Sequence, residues 1–302
     1  MNNRLYSYPK IWNFGHPQVK EIFLDNVIVE EKIDGSQFSF CIINNEIKCK
    51  SKRVELNTDA PEKLFNKAVN TVRSIQHLLR DGWIYRCEYL EKPKHNTLVY
   101  DRIPKDHLII YDINPSEESY LSPEEKTLEA SRLGLETVPL LFAGKIDNII
   151  QIHSLMDRIS LLGGQKIEGL VIKNYFRFGM DSKVLMAKHV SEEFKECNSS
   201  NWKETNPNRS DVLETLINRY KSIPRWNKAI QHLQEEGKLT NSPKDIGLLV
   251  HEAQQDIKEE CSEEIKEALY KWAIDKILRG SIAGMPEWYK NKLLEAQFKT
   301  NE

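Results

Sequence analysis

The sequence predicts an α+β fold, with antiparallel sheets and flanking helices in residues 1–200 and a smaller all-α domain in residues 208–302. Before about residue 200, the apolar residues mostly follow the short runs and alternation of strands. Residues 197–210 are polar and rich in turn-forming residues, which is typical of a linker. Beyond them the apolar spacing is almost wholly helical, so strands and helices are segregated along the chain.

Individual elements follow from local patterns. Asn44 and Asn45 tolerate positive φ and separate two strand-like runs, which predicts a hairpin. Pro, Asp or Ser near the first turn marks the start of each predicted helix of the first domain. The predicted strands are 27–33, 38–43, 46–51, 83–90, 107–113, 166–173 and 182–190. The predicted helices are 61–80, 122–133 and 147–162, then 211–220, 226–236, 242–260, 262–279 and 286–298.

Composition restricts the class of protein. The 302 residues are 40% hydrophobic and 29% charged with a net charge of -2, as in an ordinary globular protein and unlike a basic coating protein of nucleic acids. The polar residues 1–10 and the absence of any run of eighteen apolar residues predict an intracellular, cytoplasmic chain with no membrane partner. Five scattered cysteines without a CxxC pair predict reduced thiols rather than a zinc site or disulfides.

The sharpest local feature is the segment EKIDG at residues 31–35, at the end of an apolar strand. A buried lysine loses proton affinity, and a neutral amine is a nucleophile, so Lys32 is a candidate reactive residue. Gly35 would let the backbone turn and a phosphate approach. A strand-end lysine followed by an Asp-Gly turn is the alternative, and this short pattern alone does not separate the two.

Lys-x-Asp-Gly resembles the first motif of the covalent nucleotidyltransferases, the superfamily of DNA ligases, RNA ligases and mRNA capping enzymes. The resemblance implies that Lys32 attacks the α-phosphate of a nucleotide and holds AMP or GMP through a phosphoramidate. It implies that residues 1–200 form a nucleotidyltransferase (adenylyltransferase) domain with an ATP-grasp-like ligase fold. It also places Glu31 and Ile33, on either side of the lysine, at the nucleotide.

Further motifs follow in the expected order. The segment SKR, ending in Arg53, resembles the arginine motif of the RNA ligase 2 family, whose guanidinium suits a phosphate or ribose contact. RCEYL (residues 86–90) resembles motif III, which implies that Glu88 accepts from ribose hydroxyls. IIYDI (residues 109–113) resembles motif IIIa, which implies that Tyr111 stacks on the purine and Asp112 supports the site.

Two more motifs complete the series. EGLVIK (residues 168–173) resembles motif IV, which implies a metal-binding Glu168 and a Lys173 near the base or the phosphates. KVLMAKHV (residues 183–190) stands in the place of motif V, where two lysines separated by one residue normally reach the phosphates. Lys188 fits the second lysine, but Met186 occupies the first position. Either Lys183 or His189 substitutes, or the site works with one cation fewer. Each motif alone is equally compatible with an ordinary strand residue, and only their joint order supports the superfamily.

The segment after motif V indicates the branch of the superfamily. DNA ligases and capping enzymes of this superfamily usually continue into a five-stranded OB-fold, whereas about a hundred residues here are predicted to be helical. KIDGSQFSF (residues 32–40), with Gln37 at the amide position, also resembles the RNA ligase 2 family. The resemblance therefore implies an ATP-dependent RNA ligase.

The implied mechanism has three steps: adenylylation of Lys32, transfer of AMP to an RNA 5′-phosphate, and attack by a 3′-hydroxyl with release of AMP. Arg53, Lys173 and Lys188 would stabilise the charge and lower the pKa of Lys32. ATP and Mg²⁺ (or Mn²⁺) are the expected cofactors. Glu168, with Asp34 or Asp112, would hold the metal, which prefers oxygen ligands.

The expected partner is RNA with 3′-hydroxyl and 5′-phosphate ends, in a nicked duplex, with no obligate protein partner evident. Basic residues Arg219, Lys221, Arg225 and Lys228 are the candidate docking cluster of the helical tail, with a solvated helix end as the alternative. Two other functions stay open: a compact DNA ligase without an OB-fold, and a relative that binds RNA but has lost catalysis.

Overall fold

A two-residue turn at Asn44 and Asn45, with φ of 52° and 67°, joins strand β3 (Ser36–Ile43) to strand β4 (Glu46–Ser51) and confirms the predicted hairpin. Asparagine adopts this left-handed backbone more readily than most residues. The structure, a computed structural model, describes residues 5–61, 63–94, 98–191 and 212–299.

Two sheets and a set of helices make up the described chain. The other strands are β1 (Trp12–Asn13), β2 (Val27–Lys32), β5 (Glu55–Leu56), β6 (Ile84–Tyr89), β7 (Leu108–Asn114), β8 (Glu136–Thr137), β9 (Leu140–Gly144), β10 (Gly169–Phe178) and β11 (Val184–Val190). The α-helices are α1 (Asn66–Ile75), α2 (Pro123–Leu133), α3 (Ile149–Leu155), α4 (Val212–Tyr220), α5 (Ile223–Glu235), α6 (Ile246–Ser281) and α7 (Met285–Lys299).

Sheet A has the strand order β1-β11-β10-β2-β9, and sheet B has the order β5-β4-β3-β6-β7-β8. Most neighbouring strands are antiparallel, as predicted. The two-residue strands β1 and β8 pair in parallel with β11 and β7, so both sheets are mixed at an edge.

Alternation along the strands of sheet A separates its core face from a charged face. On one face Val29 is aligned through Ile172 with Ala187, and all three belong to a buried apolar cluster. Successive strand residues point to opposite faces. Glu30 and Lys32 of β2 and Lys188 of β11 therefore share the other face, which is free to carry chemistry.

Sheet B encloses the largest apolar cluster. Phe38, Phe40 and Cys87 lie at its centre, and helices α1 and α2 contribute Val69, Ala130 and other buried residues. Helix α2 starts with a capping box between Ser122 and Glu125 and ends at Gly134, whose φ is 74°. These caps satisfy backbone groups at both ends of the helix and account for its agreement with the predicted bounds.

The predicted helix at 147–162 is shorter in the structure, because α3 ends at Leu155. Residues beyond it form a loop in which Ile159 bridges Lys166, and Ser160 donates a 2.5 Å hydrogen bond to the carboxylate of Glu31. This tertiary contact holds residue 160 against sheet A and prevents the helix from continuing.

The predicted break near residue 261 is absent, since α6 runs through it for 36 residues. Cys261 is buried on helix α6 against Val212, Leu216 and Tyr220 of α4. The hydroxyl of Ser262 donates to the carbonyl of Lys258 within the helix, so serine does not act as a cap here.

The predicted linker at 197–210 lies outside the described residues, as does Cys197. The four cysteines that the structure describes, Cys41, Cys49, Cys87 and Cys261, are buried thiols. Among the described helices none is long and apolar enough to cross a membrane.

Candidate active site

Lys32 is the last residue of β2 and faces the charged side of sheet A. Its backbone partner in β10 is Gly169, which brings the preceding residue, Glu168, beside it. Lys32 Nζ lies 2.6 Å from Glu168 Oε2 and 2.8 Å from Glu168 Oε1. The two side chains are 26% and 12% exposed, so this pair opens to solvent although its surroundings are largely buried.

The electrostatics of Lys32 differ from the prediction. Burial lowers the pKa of the lysine, but the carboxylates of Glu168, Asp34 and Glu88 raise it by more, so the net pKa lies above its usual value. The predicted lowering of the Lys32 pKa is therefore wrong. The physical reason is that carboxylates surround Lys32. The cations expected beside it, Arg53, Lys173 and Lys188, form ion pairs with other residues.

Glu88 lies on β6, whose neighbour β3 presents Gln37 opposite it. One carboxylate oxygen, Oε2, is buried and has no hydrogen-bond partner among the described residues. Burial raises the pKa of Glu88 to about 8, although Lys32 lowers it. An unsatisfied buried oxygen is costly unless a ligand supplies a donor, so Glu88 suits acceptance from a hydroxyl.

A bulge in β7 presents the next two predicted site residues. Arg86 pairs with Asp112 and Cys87 with Ile110, so Tyr111 is the extra residue between them. Such bulges redirect side chains, and here the irregularity brings Tyr111 and Asp112 together at the site. The ring of Tyr111 lies edge-on to that of Tyr8, with centroids 5.1 Å apart.

Lys173 ties this bulge to sheet A. Its ammonium group lies 2.6 Å from Glu30 and 3.0 Å from Asp112, and it donates to the carbonyl of Tyr111 at 2.8 Å. Burial lowers the pKa of Lys173, but Asp112 and Glu30 raise it by more. Because three acceptors surround this 1% exposed side chain, Lys173 holds the two sheets together instead of facing a phosphate.

Sequence reasoning missed several members of this buried network. Lys126 of α2 pairs with Glu30 and donates to the carbonyl of Tyr111 at 3.1 Å. Tyr8 and Tyr175 donate to the two carboxylate oxygens of Asp112. A charged residue inside an otherwise apolar strand, such as Glu30, is a signal that could have indicated such a network.

The side chains of Glu31 and Ile33 have partners within the protein, and their nucleotide contacts stay a prediction. The carboxylate of Glu31 accepts from Ser160 and from the backbone N–H of Leu161, which lies 3.0 Å away. Ile33 is 3% exposed in an apolar cluster with Leu98 and other residues. Both side chains support the strand that carries Lys32.

The loop after Lys32 depends on close backbone packing. The backbone bends at Gly35, as predicted, but without the positive φ that glycine allows. A Cβ there would lie 2.9 Å from Leu90 and 3.0 Å from the carbonyl of Tyr89, so glycine lets β6 approach. The backbone N–H of Leu98 donates to the Asp34 carboxylate at 3.4 Å, and Tyr100 contacts the Asp34 backbone.

Helices α5 and α6 meet the basic motif residues of the sheets. Arg53 lies 2.8 Å from Glu252 and 3.3 Å from Glu236, and Lys188 lies 3.3 Å from Glu260. A narrow crevice between them is lined by residues Ser51, Lys52, Arg53, His232, Glu235 and Glu236. The helical region therefore closes directly over this side of the site.

Sequence reasoning also missed the acidic residues through which α6 contacts these basic side chains. Glu252, Asp256 and Glu260 recur every four residues on α6, so they share one helix face. That spacing was the available sequence signal. Because β11 and α6 are far apart in the sequence, this spacing could not show which basic residues the three carboxylates would contact.

The predicted RNA-docking cluster is largely occupied by the same acidic face. Arg225 is 2% exposed and pairs with Asp256, and Lys228 also contacts Asp256 at 2.8 Å. Arg219 lies 2.5 Å from Glu264. These ion pairs direct the three side chains toward α6, so they do not form the open basic face that the sequence suggested.

The three predicted metal ligands do not form one metal-binding group among the described residues. Glu168 pairs with Lys32, Asp34 accepts from a backbone amide, and Asp112 accepts from two tyrosines. Within the described residues there is no group of three or more His, Cys, Asp or Glu side chains arranged to hold a metal ion. Glu168, open to solvent, is the carboxylate best placed for one.

Comparison with known proteins places this site in a family. The family model described as RNA ligase matches residues 25–190, more than half of the chain, which includes Lys32, Glu88 and Glu168. No curated protein sequence matches the chain.

Among solved structures, the chain is similar to a lysine-to-alanine mutant of the Naegleria gruberi RNA ligase with ATP and Mn, at 21% identity and a TM-score of 0.47. That match covers 62% of this chain and 57% of the other. A glutamate-to-alanine mutant of that ligase with AMP and Mn matches at 20% identity and a TM-score of 0.48, covering 63% and 57%. This chain thus spans less than two thirds of the length of those chains. On the family match, the chain belongs to the RNA ligase family of the covalent nucleotidyltransferase superfamily.

Proposed function

We propose that this protein is an ATP-dependent RNA ligase that joins 3′-hydroxyl and 5′-phosphate ends through a lysyl-AMP intermediate. The observation that carries the proposal is the pair of Lys32 and Glu168, 2.6 Å apart, beside the unsatisfied Glu88 carboxylate in a member of the RNA ligase family. A nucleophile next to a proton acceptor is the arrangement that covalent catalysis requires.

In the first step, neutral Lys32 Nζ attacks the α-phosphorus of ATP. A nitrogen–phosphorus bond forms, the bond to the bridging oxygen breaks, and pyrophosphate leaves with the electron pair. Glu168 is the adjacent acceptor for the lysine proton, and burial raises the pKa of its carboxyl, which makes it a better base.

In the second step, an oxygen of the RNA 5′-phosphate attacks the phosphorus of AMP, and Lys32 leaves with the electron pair and regains a proton. In the third step, a 3′-hydroxyl attacks the activated 5′-phosphate and AMP departs. Lys32 is needed for the first two steps only, which makes pre-adenylylated RNA a useful probe.

Other side chains would orient the nucleotide. Glu88 would accept from the ribose hydroxyls through its unsatisfied oxygen, and Tyr111 would offer its ring to the purine. Lys173 acts on Tyr111 by fixing the β7 bulge. In this arrangement Lys173 would not bind a phosphate of the nucleotide.

Carboxylate chemistry at the site fits a divalent metal ion. Magnesium is commonly bound by one or two carboxylates, with phosphates and water supplying the other ligands. Glu168 and Asp34 would hold it, and it would polarise the transferred phosphate. Asp112 is less suited, because Lys173, Tyr8 and Tyr175 already engage its carboxylate.

We also propose two domains, a nucleotidyltransferase domain at 1–200 and a helical domain at 208–302. In support, the strands and the family match end at residue 190, and the described chain resumes with helix α4 at Val212. The boundary itself falls outside the described residues. The proposed substrate of the two together is a nicked RNA duplex.

Incubation with α-labelled ATP or GTP and Mg²⁺, followed by denaturing electrophoresis, tests the enzymatic proposal. We expect a labelled band with ATP that is absent in Lys32→Ala and is removed by pyrophosphate. Sealing of RNA and DNA nicks in parallel then identifies the strand. No label after pyrophosphate stripping, with intact mass showing no bound AMP, would refute the lysyl-AMP step.

A further inference from the structure

A small cluster of lysines surrounds one carboxylate between sheet A and the helices. Glu260 Oε1, on α6, lies 2.9 Å from Lys228 Nζ and 3.3 Å from Lys188 Nζ. One oxygen atom thus contacts ammonium groups from two different parts of the chain. Lys188 belongs to the sheet and Lys228 to helix α5, with exposed fractions of 17% and 11%.

Lys52, which lines the crevice beside Arg53, contributes a further positive charge near this cluster. Loss of hydration lowers the pKa of Lys52 most, and the charges of Lys228, Lys188 and Arg53 lower it further, although Glu260 raises it. Burial alone would raise the pKa of Glu260, but Lys188, Lys228 and Lys52 bring it well below its usual value. The surroundings of Glu260 therefore stabilise a localised negative charge.

The surroundings of Met186 disfavour a lysine at this position of β11. Met186 is fully buried and directly opposite Lys173, whose ammonium group already lies between Glu30 and Asp112. Like charges directly opposite on neighbouring strands destabilise a sheet. A lysine at 186 would add a second buried ammonium group there without a further carboxylate.

Lys183 and His189, the two residues that the sequence offers in place of the missing lysine, have other partners. Lys183 lies 3.1 Å from Glu117 and 3.0 Å from Glu118. The ring of His189 stacks with that of His153 and lies edge-on to that of Phe14. His189 is next to Lys188 on β11 and therefore points to the opposite face. Neither side chain joins the Glu260 cluster.

We propose that Lys228, with Lys188 and Lys52, forms a phosphate-binding site in which Lys228 replaces the lysine absent at Met186, and that the Glu260 carboxylate occupies the position of the phosphate until a ligand displaces it. The inference rests on the proposed function and assigns a positioning residue from the helical region to the reaction of the sheets. A phosphate oxygen matches a carboxylate oxygen in charge and in its preference for ammonium donors.

Two sources of phosphate share this chemistry, the triphosphate of ATP and the 5′-phosphate of RNA. Lys188 and Lys32 lie on the same face of sheet A, separated by one intervening strand, β10. Strand spacing places their backbones roughly 10 Å apart across the sheet. Two lysine side chains can approach neighbouring phosphate groups from that separation.

The test uses the full chain with Lys228→Gln, Lys228→Arg and Glu260→Gln, and inorganic pyrophosphate as the calorimetric probe. We expect Lys228→Gln to weaken pyrophosphate binding by about tenfold or more, and Lys228→Arg to retain most of it. Glu260→Gln should tighten binding, because it removes the competing carboxylate. Lys238→Gln, which removes an exposed lysine paired with Glu236, is the matched control and should change nothing.

Kinetics distinguish positioning from folding. If the triphosphate binds here, Lys228→Gln raises the KM for ATP in lysyl-AMP formation by a similar factor, with a smaller change in kcat. If the RNA phosphate binds here, pyrophosphate binding is unchanged and the variant instead loses its preference for 5′-phosphorylated over 5′-hydroxyl RNA. Thermal unfolding of each variant identifies any that fail to fold, and the Gln and Arg substitutions at 228 are compared only when folded.

A folded Lys228→Gln with unchanged binding of both pyrophosphate and 5′-phosphorylated RNA overturns the inference, as does weaker pyrophosphate binding in a folded Glu260→Gln. If the wild-type protein never becomes labelled by ATP, yet pyrophosphate binding depends on Lys228, the proposed ligase function fails and the phosphate site stands. If ATP labels the protein normally and Lys228→Gln changes neither binding, only the inference about the phosphate site is wrong.

Discussion

Glu168 Oε2 lies 2.6 Å from Lys32 Nζ, and strand register sets that distance. Lys32 pairs with Gly169 across β2 and β10, so Glu168 emerges where β10 begins. The pair favours the protonated lysine, because the carboxylate stabilises the ammonium form. Lys32 must lose this proton before it can attack a phosphate.

The attack by Lys32 should depend on pH. Since neighbouring carboxylates raise the pKa of Lys32, only a small fraction is neutral at pH 7, and lysyl-AMP formation should accelerate by up to about tenfold per pH unit between pH 6 and 9. Glu168→Gln removes the strongest of these charges and should shift the profile to lower pH, with a lower maximal rate. Single-turnover kinetics followed by intact mass measures both, and a flat wild-type profile would contradict this expectation.

Stability should also depend on pH through Glu88. The folded protein raises the pKa of this carboxyl from 4.5 to about 8, so folding favours its protonated form. The resulting stabilisation is complete below pH 4.5 and is lost as pH rises through about 8. Between pH 5 and 8 the Tm should fall by a few degrees from this group, and Glu88→Gln should flatten that part of the curve. An identical pH dependence of Tm in wild type and variant would disprove this assignment.

Lys173→Met should destabilise the protein strongly. Removing the ammonium group leaves Glu30 and Asp112 buried with fewer counter-charges, which typically costs about 3–5 kcal/mol. Lys183→Met is the matched control, since Lys183 is paired but 33% exposed and should cost no more than about 1 kcal/mol. Denaturant unfolding measures both, and equal losses in the two variants would show that burial of the Lys173 pair is unimportant.

Gly169→Ala should impair both folding and catalysis. A Cβ at this position would lie 2.3 Å from the carbonyl oxygen of His189, so β10 and β11 would have to separate next to Glu168. We expect a loss of at least about 2 kcal/mol in unfolding free energy and a slower adenylylation of Lys32.

Gly247→Ala provides the contrast for that variant. Nothing lies within 4 Å of a Cβ at Gly247, which is near the start of α6, so alanine should be neutral or stabilise by up to about 1 kcal/mol. Unfolding and adenylylation measured side by side decide the matter. A Gly169→Ala variant as stable and active as Gly247→Ala would show that the close strand approach is not needed.

Strand prediction succeeded where each strand carries its own signal. The hairpin at Asn44 and Asn45 is local, because two residues that tolerate positive φ specify the turn and alternation specifies its arms. Strand β9 (Leu140–Gly144) was not predicted, since its pairing with β2 comes from tertiary contact and its own sequence is short. Helix α3 was predicted too long for a related reason, because the Glu31 contact at Ser160 lies 129 residues away in the chain.

The sequence by itself determined the α+β class, the RNA ligase resemblance and the order of Lys32, Glu88, Glu168 and Lys188, since residue types and local spacing carry that information. Only the tertiary structure decided the charge state of Lys32, the partners of Lys173 and the closure of α5 and α6 over Arg53 and Lys188. Ion pairs and pKa values depend on distances of a few ångströms between residues far apart in the chain. Those distances exist only once the sheets and helices have packed.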